Sequence, residues 1–109
     1  VKEDDQLKPD LATQIVQKLI QRDRVSIIAG ITFSNVLLAV LKPVTEKGVF
    51  LIGTNAGPAP AAGAACSPFF FSTSFQNDND PEGMGKYTTE QGLKRVILMA
   101  PNYQAGKDS

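Results

Sequence analysis

The fold is decided by residues 25–54, VSIIAGITFSNVLLAVLKPVTEKGVFLIGT. This stretch opens with the apolar run VSIIAG (residues 25–30) and closes with VFLIGT (residues 49–54). Short apolar runs that contain β-branched residues predict buried β-strands, and the longer segment between them predicts a helix. Strand, helix and strand in this order predict a right-handed parallel unit whose sheet is covered by helices.

The helix between the two runs is predicted to begin at Ser34 and Asn35, because both residue types accept hydrogen bonds from the N–H groups of a helix start. The apolar segment VLLAVL follows directly. Pro43 is expected to kink or interrupt the helix, since proline lacks the N–H group that an internal turn requires. Gly48 is expected to end it.

A second helix is predicted upstream, starting at Pro9 and Asp10, where proline is tolerated because the first N–H groups have no acceptor in the helix. Its apolar positions recur at helical spacing and are Leu11, Ile15, Val16, Leu19 and Ile20. Asp23 marks its expected end. The predicted order of elements therefore begins with a helix rather than a strand.

Downstream, the pattern continues with less regularity. Residues 55–68, NAGPAPAAGAACSP, are rich in Gly, Pro and Ala and predict a loop. FFFSTSF at residues 69–75 predicts a third strand, and residues 81–92 predict a helix that two glycines weaken. RVILMA at residues 95–100 predicts a last strand.

These elements together predict an α/β fold, a partial doubly wound parallel sheet with helices on both faces. Residues 1–109 are interpreted as one incomplete domain. A doubly wound domain normally begins with a strand and covers its last strand with a helix, so both ends of the chain are expected to continue in a longer protein. The unpaired edges of such a partial sheet favour strand exchange, and self-association of the chain is therefore expected.

The composition narrows the possible functions. Eleven basic residues balance eleven acidic ones, so no electrostatic argument favours nucleic acid or an anionic membrane surface. The chain contains no histidine, which excludes histidine acid–base catalysis and the usual zinc sites within it. The single cysteine, Cys66, is expected to be a half-buried loop thiol, and whether it forms a disulfide is left open.

Sequence signatures of enzymes and cofactors are missing. GITFSN differs from the glycine pattern of dinucleotide-binding loops, and neither a phosphate loop nor a nucleophile elbow occurs. Asp78, Asp80 and Glu82 alternate as in a calcium loop, but the spaced glycine and the distal glutamate are lacking, so helix capping is favoured. We therefore predict no catalytic residue, no metal and no cofactor.

Three loops are expected to meet at one edge of the sheet, because parallel strands end at the same edge and such folds bind ligands there. The loops are GITFSN, TNAGPAP and APNYQAG, after the first, second and last predicted strands. Ser34 either caps its own helix or offers its hydroxyl, beside unpaired N–H groups, to an anion. Tyr103 either contacts a ligand or has no such role.

In order along the chain, QKLIQRDRVSIIAGITFSN, EKGVFLIGTNAGP, SPFFFSTSFQND and GKYTTEQGLKRVILMAPNYQAGKD resemble the type I periplasmic substrate-binding proteins of ABC transporters, the leucine/isoleucine/valine-binding group. The resemblance covers nearly the whole chain. It implies two α/β lobes that close on a small ligand, with this chain an interior piece of the N-terminal lobe. It also implies a membrane permease as partner and a periplasmic or lipid-anchored extracellular location, with the signal peptide outside these residues.

The resemblance also implies a set of ligand contacts on the three loops, at Phe33, Ser34, Ala56, Gly57, Pro58 and Tyr103. Ser34 is expected to hold the ligand carboxylate, and the second loop is expected to contribute backbone and small side chains. Tyr103 is expected to cover the ligand from the cleft side. Phe33 suits an apolar ligand body, or else belongs to the core.

The ligand class is less narrowly implied. TNAGP, SPFFFSTSFQND and APNYQAGKD are most similar to members that take up hydrophobic or aromatic carboxylates, and branched-chain amino acids remain the alternative. Amino-acid binders usually end the second loop in threonine, where this chain has NAGPAP. A ligand-sensing regulatory domain of the same fold is the second functional hypothesis, and a fragment of an α/β enzyme is the third.

Overall fold

The computed structural model describes residues 1–109 and contains five helices and three strands. In chain order these are α1 (Pro9–Gln21), β1 (Ile27–Gly30), α2 (Ser34–Thr45), β2 (Phe50–Gly53), α3 (Ala59–Ala62), β3 (Phe70–Ser72), α4 (Asn79–Glu90) and α5 (Gln104–Asp108). None of the helices is long and apolar enough to cross a membrane.

The strands form one parallel sheet in the order β1-β2-β3. Ile27 pairs with Phe50 in the first register, and Leu51 pairs with Phe70 in the second. The parallel βαβ unit predicted from residues 25–54 is therefore present, with α2 as its crossover. The predicted α/β class, a partial parallel sheet with helices, is confirmed. The predicted helices on both faces are not found, because Ile27, Phe50 and Phe71 are exposed on the face opposite α2.

The core lies on one face of this sheet, under α1 and α2. Val36, Leu37, Val40 and Val44 from α2 are almost fully buried, and so is Leu51 at the centre of β2. α1 packs against α2, and its Ala12 and Val16 complete the cluster on that side. Removal of this apolar surface from water is the main force that holds the βαβ unit together.

Helix α2 does not break at its proline. Pro43 lies within the helix, which ends at Thr45, and the chain turns at Gly48 with a φ of 69°. This turn requires a glycine, because a side chain is strained at positive φ. Since Pro43 lies in the last turn, the missing N–H removes one hydrogen bond near the helix end and leaves the remainder of the helix intact.

The C-terminal part departs most from the sequence prediction. Residues 95–100 form no strand, and the side chains of Ile97, Leu98 and Met99 are 94%, 88% and 96% exposed. An apolar run becomes a strand only when a neighbouring strand accepts and donates its backbone hydrogen bonds, and none does so here. Helix α4 begins two residues earlier than predicted and buries none of its residues.

Three smaller differences complete the comparison. The third strand spans only three residues, while the short helices α3 and α5 lie in segments for which loops were predicted. Cys66 is exposed rather than half-buried, because its loop runs over the surface after α3.

At the end of α1, the Arg22 guanidinium lies 2.9 Å from the Asp23 carboxylate. The hydrogen bond between them lowers the pKa of Asp23 and raises the pKa of Arg22.

One face and both edges of the sheet lack cover. Ile27, Phe50 and Phe71 are exposed on the face opposite α2, where the Phe50 ring lies 5.2 Å from that of Phe69. β1 and β3 each have one strand neighbour and therefore one open edge. A cavity of about 330 Å³ follows β1 and is lined by α1 and the N-terminal residues, including Val1.

Candidate functional site

The candidate site lies at the carboxyl edge of the sheet, where β1 ends at Gly30, β2 at Gly53 and β3 at Ser72. The loops that leave these strands are tied together by hydrogen bonds. The Asn55 amide donates to the carbonyl oxygen of Thr32 over 3.1 Å, which joins the second loop to the first. A parallel sheet brings such loops together, as the sequence predicted, and these bonds fix their relative positions.

Gly57 lies where the loop after β2 approaches the loop after β3. Its carbonyl oxygen accepts a hydrogen bond from the Asn77 backbone N–H over 2.8 Å. A Cβ atom at this position would overlap the carbonyl oxygen of Phe75, so only glycine fits without displacing backbone. The N–H groups of Ala56 and Gly57 donate to no backbone carbonyl of the chain, and both residues are buried.

Ser34 does not cap its helix, contrary to one of the two sequence interpretations. Phe33 occupies the cap position with an extended backbone, and Ser34 is the first residue of α2. The Ser34 hydroxyl is 2% exposed and accepts a hydrogen bond from the Asn77 side-chain amide over 3.0 Å. Because this partner lies 43 residues further along the chain, the contact could not be read from local spacing.

Asp108 is the acidic residue at the centre of the site. Its carboxylate accepts hydrogen bonds from the backbone N–H of Ala59 (3.1 Å), the Asn77 amide (3.0 Å) and the Gln104 amide (2.7 Å). The three donors come from the start of α3, the loop after β3 and α5. Asp108 therefore holds α5 against the loops, and its negative charge is met by three N–H groups.

Tyr103 and Phe33 form an aromatic pair at the same edge. Their ring centroids are 5.8 Å apart, and both side chains are partly buried. Phe33 also packs against the core cluster, so it belongs to the core and to the site at once. Helix α5, which begins directly after Tyr103, packs against α2.

The residues predicted for the site are thus brought together. Ser34 and Gly57 share Asn77 as hydrogen-bond partner, and Tyr103 lies on Phe33 beside Ser34. Ala56 and Pro58 are buried, so their side chains are not open to solvent. A polar depression of about 320 Å³ adjoins this group and is lined by Asn55, Asn77 and Gly106 among others.

Asn77 and Asp108 were not predicted as site residues, although Asn77 bonds directly to the predicted Ser34 and Asp108 bonds to Asn77. Both looked like ordinary polar surface positions, because a lone Asn or Asp carries no spacing signal. The available clue was their position near the ends of two of the four segments that carried the family resemblance. Asn77 lies in SPFFFSTSFQND, and Asp108 ends GKYTTEQGLKRVILMAPNYQAGKD. The ties from Asn77 to Ser34 and Asp108 depend on tertiary structure alone.

Comparison with known proteins identifies the family. The family described as periplasmic binding protein matches residues 1–109. A solute-binding protein of an ABC transporter from Rhodopseudomonas palustris, solved with benzoate, is 34% identical with a TM-score of 0.90, covering 99% of this chain and 30% of its own. An ABC transporter substrate-binding protein from Sphaerobacter thermophilus is 36% identical, with a TM-score of 0.82 and the same two coverages.

A third solved structure is a solute-binding protein of an ABC transporter from Rhodopseudomonas palustris BisB5 in complex with 3,4-dihydroxybenzoic acid. It is 29% identical, with a TM-score of 0.88, and the match covers 99% of this chain and 29% of that one. This chain therefore spans about 30% of the length of its solved relatives. No curated protein matches it.

A partial parallel sheet whose loops are tied together at the carboxyl edge, superimposing this closely on solved solute-binding proteins, defines an α/β domain of the periplasmic-binding class. The chain belongs to the periplasmic binding protein family, and its relatives named above are solute-binding proteins of ABC transporters. The resemblance found in the sequence is thereby confirmed.

Proposed function

We propose that this chain is an interior piece of the N-terminal lobe of a substrate-binding protein of an ABC importer. The whole protein captures a small hydrophobic or aromatic carboxylate, or a branched-chain amino acid, in the cleft between two lobes. The observation that carries the proposal is the meeting of Ser34, Gly57 and Tyr103 at one sheet edge in a chain of this family. The relatives solved with benzoate and 3,4-dihydroxybenzoic acid favour an aromatic acid.

Binding of a carboxylate follows from the donors at this edge. The start of α2 carries N–H groups that have no acceptor in the helix, together with the partial positive charge of the helix dipole. The Ser34 hydroxyl and the N–H groups of Ala56 and Gly57 add further donors. Phe33 and Tyr103 offer ring surfaces to an apolar ligand body.

Affinity is completed when the second lobe closes over the ligand and excludes water. The proposed partners are the small acid and a membrane permease that receives it. The proposed location is the periplasm, or the outside of the cell if the whole protein is lipid-anchored. A ligand-sensing regulatory domain would use the same cleft and is the alternative. Catalysis is the least supported role, because the relatives named above are transport proteins.

The direct test is calorimetric titration of the full-length protein that contains these residues, with benzoate and with isoleucine. Ser34→Ala is expected to weaken benzoate binding by roughly 10- to 100-fold, since a hydrogen bond to a charged group is worth about 1.5–3 kcal/mol. Thr88→Ala removes an exposed hydroxyl in α4 and is expected to change nothing. Unaltered benzoate affinity in Ser34→Ala contradicts the proposed role of Ser34.

The isolated chain is expected to bind these acids weakly or not at all, because the second lobe supplies half of the pocket. It is also proposed to self-associate through its open sheet edges. This proposal is supported by the single neighbours of β1 and β3 and by the exposed apolar side chains of residues 97–99. Micromolar binding of benzoate by a monomer of the isolated chain would contradict both expectations.

A further inference from the structure

The side-chain amide of Asn77 is shared between two acceptors. Its nitrogen lies 3.0 Å from the Ser34 hydroxyl oxygen and 3.0 Å from a carboxylate oxygen of Asp108. An amide nitrogen carries two hydrogens, so it can serve both acceptors at once. Asn77 thus links Ser34, at the start of α2, with Asp108, at the end of α5.

Asp108 determines which way the Asn77 amide faces. An ionised carboxylate only accepts hydrogen bonds, so Asn77 must turn its NH₂ group and not its carbonyl oxygen toward Asp108. Asp108 cannot rotate freely, because it also accepts from the Ala59 backbone N–H and the Gln104 amide. The same NH₂ group is consequently held against Ser34.

The direction of this bond determines what Ser34 can offer a ligand. In its one hydrogen bond within the chain, the Ser34 oxygen is the acceptor, so its own proton is not used. A buried hydroxyl whose proton has no acceptor costs free energy, so a ligand that accepts this proton is favoured. The unpaired N–H groups of Ala56 and Gly57 favour an anion as that ligand. Ser34 is thereby held as a hydrogen-bond donor.

We infer that Asn77 and Asp108 are positioning residues that keep Ser34 a donor, so that the site selects a ligand that only accepts hydrogen bonds at this point, a carboxylate, over the matching carboxamide. This inference rests on the proposed function, since it assumes that the ligand's acid group reaches Ser34. It assigns the selectivity of the site to two residues that need not touch the ligand.

Asp108→Asn in the full-length protein separates positioning from simple electrostatics. Asparagine at this position can donate to the Asn77 carbonyl oxygen, so the Asn77 amide can turn over and accept the Ser34 proton. Removal of a negative charge near an anion site would by itself strengthen benzoate binding. Positioning predicts the opposite, a fall in benzoate affinity.

The measured quantity is the ratio of benzoate to benzamide affinity, determined by calorimetry. Benzamide has the same shape but carries an NH₂ donor in place of one carboxylate oxygen. We expect Asp108→Asn to lower this ratio by at least about 10-fold, the worth of one charge-assisted hydrogen bond. A general loosening of the site would instead weaken both ligands equally and overturn the inference, as would a raised ratio.

Two further variants complete the test. Asn77→Ala, which removes the shared amide, is expected to lower the ratio as well, and it replaces Asp108→Asn if that protein fails to fold. In a Ser34→Ala background, Asp108→Asn is expected to lower the ratio no further, because its positioning effect acts through Ser34. A further fall in that background overturns the inference.

A matched control and the wild-type protein separate the two proposals. Asn79→Asp changes the charge at an exposed position two residues beyond Asn77, and it is expected to leave the ratio unchanged. If the wild-type protein binds neither benzoate nor another aromatic carboxylate, the proposed ligand class fails and the inference fails with it. If it binds benzoate and both positioning variants keep the wild-type ratio, only the inference fails.

Discussion

Helices α2 and α4 each span 12 residues, yet they are held in place by different means. Seven residues of α2 are buried, and Leu37 in its first turn has no exposed surface. No residue of α4 is buried, and its largest apolar side chains, Met84 and Tyr87, are both more than half exposed. A local sequence pattern was enough to predict both helices, but only α2 has a packing partner.

This difference shows where the candidate site obtains its rigidity. Ser34 is the first residue of α2, so the apolar contacts that fix α2 also fix the hydroxyl at its start. In α4, two glycines raise the entropic cost of the helix, and no buried residue compensates for it. The site therefore depends on the packed part of the chain and is largely independent of α4.

A pair of side-chain truncations, one in each helix, tests the difference between α2 and α4 most directly. Leu37→Ala is expected to lower the free energy of unfolding by about 2–5 kcal/mol, because it removes buried methyl groups and leaves a cavity. Met84→Ala is expected to change it by less than about 0.5 kcal/mol, since Met84 is 59% exposed. Urea titration of the chain, followed by circular dichroism, measures both.

The slope of each urea transition is the control, because an unchanged slope shows that the variants unfold from equally compact states. Similar losses in the two variants would mean that α4 is packed as firmly as α2. That result would contradict the division of the chain into a packed part and an exposed helix α4.

Two glycine-to-alanine substitutions, one at the packed site and one in α4, are expected to change stability in opposite directions. Gly57→Ala is expected to destabilise the chain by about 1–3 kcal/mol, because the added methyl group collides with the Phe75 carbonyl oxygen. Gly83→Ala is expected to stabilise α4 by about 0.5–1 kcal/mol, since alanine loses less entropy in a helix and nothing lies near the added methyl group. Thermal unfolding and helix content report the two effects, and equal signs would contradict them.

Much of the fold was predictable because its signals are local. The apolar runs VSIIAG and VFLIGT gave two parallel strands, each slightly shorter than predicted, with the expected helix between them. RVILMA gave the same kind of signal, and the strand prediction was wrong. A strand requires a partner that no sequence pattern in the segment itself can supply.

The candidate site was predictable to a similar extent. The loops after β1 and β2 were expected to meet because parallel strands end at one edge, and a hydrogen bond joins them there. Tyr103 was expected at that edge because APNYQAG was predicted to follow a last strand, and that strand is absent. The hydrogen bonds from Asn77 to Ser34 and Asp108, and from Ala59 to Asp108, join residues 31 to 49 positions apart, so they depend on the folded structure. That Ser34 binds a ligand stays a prediction.

Exposed apolar residues near the C-terminus provide the third test. Ile97→Lys is expected to reduce self-association of the chain several-fold, because a charged side chain on an exposed segment opposes strand pairing between molecules. The stability of the monomer should change by less than about 0.5 kcal/mol, since Ile97 makes no buried contact. Sedimentation velocity at increasing concentration measures the first effect. Ile28→Lys, at a partly buried position packed against the core, is the contrast and is expected to unfold the chain.

The smallest effect is expected from two exposed ion pairs with the same spacing, one in α2 and one in α4. Lys42 lies 3.6 Å from Glu46 at the end of α2, and Lys86 lies 3.8 Å from Glu90 at the end of α4, each pair four residues apart and well exposed. Such pairs are worth about 0.2–0.5 kcal/mol, and the order lysine before glutamate is the weaker one.

Because α2 is held by its core, Lys42→Gln is expected to leave helix content unchanged. Lys86→Gln is expected to lower it measurably, since α4 has little besides local interactions to keep it helical. Salt at about 1 M should reproduce the loss in the wild-type chain and abolish the difference between wild type and Lys86→Gln, because it screens exposed charges. If Lys42→Gln loses as much helix content as Lys86→Gln, core packing does not make α2 less dependent on local interactions than α4.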